Sequence, residues 1–332
     1  MIPQSLRDIG ERNVIEEMIK IIGSRIESGE ILTYPDDAKD VLPRGPRIIV
    51  SIDGYGIFKL RLPWRDLRDV GWCAITGSVS DVIVKGAFPE FVLLALGLPP
   101  DLSTSELREL SEGIKDGLEH YGVRLIGGDT NVSDDPWIAV ATIGFTPAKK
   151  PPSRNGLRNG DVLIVTGFYG AMGLVAEKGL EESKKREWVV EVTRRPTASK
   201  SLAAVVSSNY RWITASMDVS DGLGYTLLSL AKASGVKIAL NSLPLYYPQL
   251  RDECGMDEDC ILKLVMTGGE EYGAVLGVKP EGLYHVEKDL KYYQIPYRIV
   301  GRVESGDPIV LFKDKPVSFM EWDQFQGWRS TA

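Results

Sequence analysis

The sequence predicts a two-domain protein of mixed α+β and α/β architecture, and three observations carry that reading. At 332 residues the chain exceeds what a single core usually organises. Between Thr146 and Asn155 the residues Pro147, Lys149, Lys150, Pro151 and Pro152 fall together, which suits an exposed connector. On each side of that connector an apolar run leads into glycine and acid, at Gly127-Gly128-Asp129 before it and at Asp218-Val219-Ser220-Asp221-Gly222 after it. The expected division is therefore residues 1–147 and 148–332.

The first element is an amphipathic helix over Asn13 to Ile26, because Val14, Ile15, Met18, Ile19, Ile21, Ile22 and Ile26 recur mostly at spacings of three and four. After a loop carrying Tyr34-Pro35-Asp36-Asp37, Arg47 to Ile52 reads as a short buried strand that ends at Asp53-Gly54. Asp66 to Lys85 has a helical apolar face with Ser80-Asp81 on its later turns, and Gly86 to Pro89 stops it. Phe91 to Leu98 is a dense apolar strand. Ser103 followed by Glu106 is a capping-box signal for a helix to about Tyr121. Val123 to Ile126 and Trp137 to Phe145 complete the strands of the first half.

The second half restarts with Gly160-Asp161 and a strand over Val162 to Val165, which runs into Thr166-Gly167-Phe168-Tyr169-Gly170 and a helix. A strand, a glycine turn and a helix make an anion-binding arrangement, since unpaired N–H groups point at the turn. Glu181 to Arg195 is a charged helix or lid, and Ala198 to Val206 continues as helix. Trp212 to Met217 leads to Asp218, and Leu223 to Ala233 is a helix whose N-cap is Ser220 or Asp221 unless those residues bind ligand. Lys237 to Leu240, Leu262 to Met266 and Tyr272 to Val278 read as strands, with Thr267-Gly268-Gly269-Glu270-Glu271 as a second glycine pair followed by acids.

Composition excludes several classes. With 43% hydrophobic and 26% charged residues the chain is an ordinary globular protein, and a formal charge of −7 argues against a nucleic-acid binder. No apolar run reaches the roughly 18 residues of a membrane span, and Met1 to Gly23 lacks a signal-peptide pattern. Cys73, Cys254 and Cys260 form no C-x-x-C pair and only His120 and His285 are present, so neither a zinc site nor a disulfide framework is expected, and a reducing cytoplasm fits.

The acids are the chemically telling residues. Asp36, Asp37, Asp53, Asp81, Asp129 and Asp218 all sit near apolar runs and glycines. If they face one cleft, they repel each other unless divalent ions lie between them, and magnesium suits all-oxygen ligands that bridge phosphates.

In order and spacing these motifs resemble the thiamine-monophosphate kinase family, within the superfamily that also holds aminoimidazole ribonucleotide synthetase, selenophosphate synthetase and a hydrogenase-maturation dehydratase. The likeness rests on Gly10-Glu11, Asp36-Asp37-Ala38, Ser51-Ile52-Asp53, Ser80-Asp81 with Gly86-Ala87, Gly127-Gly128-Asp129-Thr130, Arg154, Gly160-Asp161, Thr166-Gly167, Asp218 to Leu223, Thr267 to Tyr272 and Trp322-Asp323-Gln324-Phe325. It implies a first domain whose sheet pairs with that of a second copy into a barrel, a larger α/β second domain, and ATP with several Mg2+ ions.

On this resemblance Asp36, Asp37, Asp53, Asp81, Asp129 and Asp218 are metal ligands, and Ser51, Gly128, Asp129 and Ser220 touch ATP. Asp221 is a further ligand or the residue that orients the attacking oxygen. Glu270 and Arg154 face the acceptor, and proximity adds Lys59 and Arg61, which are otherwise surface charges. Trp322 and Phe325 stack on a heterocycle or close a C-terminal core. Two departures stand out: Leu60 occupies the place where family kinases carry a histidine, and Thr197-Ala198 follow Pro196 where a proline-arginine pair is usual. The run Asp53-Gly54-Tyr55-Gly56-Ile57-Phe58-Lys59-Leu60 is similar to that of the synthetase branch. The function implied is an ATP-dependent kinase acting on thiamine monophosphate in a cytoplasmic homodimer. The alternatives are a synthetase or dehydratase that phosphorylates an amide oxygen, or a nucleotide-binding regulator with little turnover.

Overall fold

The computed structural model describes residues 4–24, 27–30, 40–323 and 327–331. The chain divides into two compact units, Met1–Val82 with Phe88–Pro147, and Ile83–Ala87 with Ala148–Ala332.

The first unit opens with α1 (Leu6–Ile9) and α2 (Glu11–Ile22). Then come β1 (Arg47–Gly56), α3 (Ile57–Leu60), α4 (Leu67–Val84), β2 (Phe88–Leu98), α5 (Thr104–Tyr121), β3 (Arg124–Val132) and β4 (Trp137–Thr146). The strands form one sheet in the order β1-β4-β2-β3, parallel only between β2 and β3. Helix α4 is apolar nearly all round and correspondingly buried, with Val70, Cys73, Ala74, Ile75, Val79 and Val82 inaccessible. It lies on one face of the sheet, where Ser78 Oγ donates to the Val140 carbonyl at 2.8 Å and meets Thr142 Oγ1 at 2.8 Å. The Ser103 capping box at the start of α5 is made in both directions.

Two expectations change here. Arg47 to Ile52 is not a short buried strand: β1 is ten residues long and forms an edge, and its outward residues Ile48, Val50 and Ile52 are 57%, 62% and 69% exposed. The glycines and acid at 127–129 do not follow a strand but lie within β3, Gly128 opposite Leu94 and Asp129 opposite Ala95. Glycine is needed at 128 because a Cβ there would stand 2.2 Å from the Leu94 carbonyl oxygen.

The second unit contains β5 (Val162–Thr166), α6 (Ala171–Lys178), α7 (Leu180–Ser183), α8 (Glu187–Arg194), α9 (Leu202–Ser208), β6 (Ile213–Asp218), α10 (Leu223–Ser234) and β7 (Lys237–Leu240). Next come α11 (Leu250–Cys254), α12 (Glu258–Met266), β8 (Ala274–Val278), α13 (Leu283–Tyr292) and β9 (Tyr297–Glu304). The chain closes with β10 (Val310–Phe312), β11 (Lys315–Pro316), β12 (Phe319–Asp323) and β13 (Gly327–Thr331). Seven strands form a mixed sheet ordered β11-β10-β7-β9-β5-β8-β6, and β12 pairs with β13.

Leu262 to Met266, read as a strand, is the end of helix α12. Its start signal is Asp257, whose carboxylate accepts from the Asp259 and Cys260 N–H groups at 3.0 and 3.2 Å. Ile261, Leu264 and Val265 then give the buried helical stripe. The cysteine reading also changes, because Cys254 and Cys260 form a disulfide that ties α11 to α12. Two cysteines six residues apart meet because the chain reverses at Gly255 between the two helices. The inference of a reducing compartment from cysteine spacing therefore falls away. Among the described residues no helix is long and apolar enough to cross a membrane.

Candidate active site

In the first unit, alternation along β1 turns Ser51 and Asp53 toward α4 and leaves Ile52 and Gly54 on the other face. Ser51 Oγ accordingly donates to Asp81 Oδ2 of α4 at 2.6 Å, which joins two of the expected ligand-binding residues. Asp53 stands opposite Val140 and in the same cross-strand row as Leu94 and Gly128. Asp129 belongs to the adjacent row, with Ala95, Ala139 and Gly54, and so projects from the face opposite α4. There Asn131 Nδ2 donates to its Oδ2 at 2.8 Å.

The acids of this unit thus do not converge on one point, and among the described residues no three carboxylates, imidazoles or thiols gather as a metal cluster. Asp36 and Asp37 lie outside the described residues. Lys59 lies in the short α3 and Arg61 follows its end, both exposed, with Leu60 only 6% exposed between them. Burial, and after it Asp66, pushes the Glu109 carboxyl up, and Arg61 opposes that rise.

In the second unit two glycine turns are sewn together. Val219 N–H donates to the Gly273 carbonyl at 2.9 Å, Tyr272 N–H to the Val219 carbonyl at 3.1 Å, and Glu270 N–H to the Ser220 carbonyl at 2.7 Å. The approach is close: Gly222 has φ of 104°, and a Cβ there would lie 2.0 Å from the Gly268 carbonyl oxygen. This pairing brings the backbone of Asp218, Ser220 and Asp221 beside Glu270, which itself holds a left-handed φ of 57°. Asp218 is buried at the end of β6, and its carbonyl accepts from Thr226 Oγ1 at 3.0 Å. Asp221 is exposed. The N-cap of α10 is Gly222 and no side chain caps it, so neither Ser220 nor Asp221 serves as that cap.

Arg154 is exposed, and its carbonyl accepts from Ser234 Oγ at 3.2 Å. Asp161 is buried and takes hydrogen bonds from Thr214 Oγ1 at 2.6 Å and Arg158 N–H at 2.8 Å, a framework role. Trp322 is in β12 opposite Trp328, and Phe325 lies outside the described residues.

Sequence reasoning missed Glu271. Its Oε1 accepts from Gly170 and Ala171 N–H, each at 2.9 Å, and from Met172 N–H at 3.3 Å. The anion-binding turn expected after β5 is therefore already filled by this chain's own carboxyl. Burial pushes that carboxyl up to about 8, against the downward pull of the three N–H groups. A signal existed in the second acid of Gly268-Gly269-Glu270-Glu271, although nothing in one sequence says which of two adjacent acids turns inward.

A four-stranded sheet backed by one buried helix, a second unit with a seven-stranded mixed sheet, and paired glycine-acid turns define an AIR synthase related protein. The profile of the AIR synthase related protein N-terminal domain matches residues 35–146, and that of the C-terminal domain matches residues 158–314. Thiamine-monophosphate kinase of Nitrosopumilus maritimus is 30% identical over 268 residues, 80% of this chain and 84% of the relative. The kinase of that name from Aquifex aeolicus is 29% identical over 330 residues, 96% and 99% of the two chains. A solved structure of AaThiL complexed with AMPPCP and TMP superposes with a TM-score of 0.71 at 26% identity, covering 98% of this chain and all of the other. The chain belongs to the thiamine-monophosphate kinase family.

Proposed function

We propose that this protein transfers the γ-phosphoryl group of ATP directly to the phosphate of thiamine monophosphate, giving ADP and thiamine diphosphate. The observation that carries the reading is near-complete coverage, on both sides, of a family structure complexed with AMPPCP and TMP. Phosphoryl transfer depends on alignment of donor and acceptor and on charge neutralisation more than on covalent work by the protein.

The donor set fits magnesium. Asp53, Asp81 and Asp129 offer only carboxylate oxygens, with the Ser51 hydroxyl beside Asp81, and the two histidines and the cysteines take no part in it. Asp53 and Asp81 stand on the α4 side of the sheet and Asp129 on the other, so no single ion takes all three, and each ion would draw its remaining ligands from phosphate and water. Mg2+ bound there offsets the charge of the triphosphate. Asp36 and Asp37, and in the second unit Asp218, are further carboxylates assigned to metal binding.

The chain's own residues hold and orient. Ser51, Gly128 and Ser220 are assigned to ATP, and Arg154, Lys59, Arg61 and Glu270 to the acceptor, with Trp322 and Phe325 beside its rings. Asp221, exposed on the paired turns, orients the attacking oxygen. No general base is assigned, because a phosphate monoester ionises with a pKa of about 6. A homodimer formed through the open face of the first sheet, and a cytoplasmic location where ATP is supplied, complete the proposal.

A second reading is a synthetase-type enzyme that phosphorylates an amide oxygen. It is favoured by Leu60, which is buried and apolar where the family kinases carry histidine. ADP release measured with and without thiamine monophosphate separates the two readings: dependence on that acceptor supports the kinase, and independence from it supports the synthetase.

A further inference from the structure

We propose that Phe168, Trp188 and Tyr247, with the Glu271 carboxyl beside them, form the subsite that holds the flat nitrogen heterocycle of the phosphate acceptor. The proposal rests on the reading of that acceptor as thiamine monophosphate, whose heterocycles are a thiazolium cation and an aminopyrimidine.

Tyr247 is the centre of the group. Its ring lies 5.9 Å from that of Phe168 at 34° and 5.6 Å from that of Trp188 at 43°, within the range of offset aromatic contact. Each ring is held from a different direction. Tyr247 N–H donates to the Tyr169 carbonyl at 3.3 Å and Tyr169 N–H to the Leu245 carbonyl at 3.1 Å, which straps the 245–247 segment to the turn after β5. Trp188 is in the first turn of α8, and Arg186, the residue before that helix, is forked onto Glu253 at 2.6 and 3.1 Å. Phe168 stands in the glycine turn itself, 38% exposed. Rings fixed this way cost little ordering entropy when a flat ligand arrives.

The polar atoms point to the ligand's chemistry. Among the described residues neither the Tyr247 hydroxyl nor the Trp188 indole N–H has a hydrogen-bond partner, so both donors are available. Burial and the neighbouring Glu271 push the Tyr247 hydroxyl up, so it keeps its proton. Glu271 spends Oε1 on the α6 backbone, whereas Oε2 has only a 3.2 Å contact from Gly170 and room for another hydrogen bond. Aromatic faces beside a carboxyl favour an electron-poor or cationic ring that bears N–H groups.

The test uses the full chain with ATP and magnesium, and the variants Phe168→Leu and Trp188→Leu, which keep bulk and remove a π face. Each is expected to raise KM for thiamine monophosphate about three- to tenfold, leaving KM for ATP within about twofold of the parent. Phe168→Tyr restores the ring and is expected to restore the KM. Calorimetric titration with thiamine, which has the heterocycles and no phosphate, is expected to weaken in both Leu variants. If the parent makes thiamine diphosphate and both Leu variants keep the parental KM and thiamine affinity, the subsite is overturned while the kinase reading stands. A parent that makes no thiamine diphosphate and binds no thiamine overturns both.

Discussion

The carboxyl of Glu271 accepts the N–H of Ala171 at 2.9 Å, so the first turn of α6 is capped by a residue one hundred positions later in the chain. Desolvation raises this carboxyl from an ordinary 4.5 to about 8. The neutral form is therefore favoured in the folded state. Its contribution to stability is fully present below about 4.5 and is lost as pH rises through about 8.

Glu271→Gln, which keeps an acceptor oxygen and cannot ionise, is expected to flatten the fall in stability between those two pH values. At about 1.4 kcal/mol for each pH unit crossed, the parent's loss over the window is on the order of a few kcal/mol. Urea denaturation at a series of pH values measures it. Equal slopes for parent and variant would remove Glu271 from the account.

Asp129→Asn addresses the proposed nucleotide site. Asp129 is exposed and its described contact is Asn131, so the substitution is expected to change stability by no more than about 0.5 kcal/mol. Magnesium-dependent ATP binding is expected to weaken at least about tenfold, because a carboxylate facing a polyanion attracts it only through a cation. Calorimetry with and without magnesium reads both effects, and parental affinity in the variant would move the site elsewhere.

The open face of the first sheet carries the assembly prediction. Ile48, Val50 and Ile52 on the edge strand β1 and Leu93 on β2 present apolar side chains to solvent in the single chain, a surface that proteins cover. Sedimentation at micromolar concentration is expected to give a dimer of the 36.6 kDa chain, and Val50→Glu a monomer. A monomeric parent would sink the idea.

What could be read from sequence follows from where the signals are local. Helix α4 was visible because its apolar residues recur over eighteen positions, and α5 because Ser103 and Glu106 make a reciprocal cap. Asp257 gave an equally local signal for α12, but Leu262 to Met266 is short and apolar, a pattern that strand and helix share. The residues of the candidate site were nameable from motif order. Their grouping was not, because it depends on long-range pairing: the contact of Ser51 with Asp81 spans thirty residues, and that of Glu271 with Gly170 about a hundred. The two faces of the first sheet show the same limit. Alternation tells that Asp53 and Ile52 point apart, but only the register across β4 and β2 reveals that Asp129 stands on the side of Ile52.

The central claim is that phosphate passes from ATP to thiamine monophosphate. Following thiamine diphosphate directly, by chromatography of a reaction at saturating ATP, magnesium and thiamine monophosphate, tests it with the fewest intermediate assumptions. Lys59→Ala and Arg61→Ala run beside the parent, since these exposed cations flank the buried Leu60. The expected result is one thiamine diphosphate formed per ADP in the parent. The cation variant that lacks an acceptor contact is expected to lose about ten- to a hundredfold in kcat/KM, the range of a charged hydrogen bond worth about 1.5 to 3 kcal/mol. ADP formed with no thiamine diphosphate, or with an amide substrate in its place, would contradict the account.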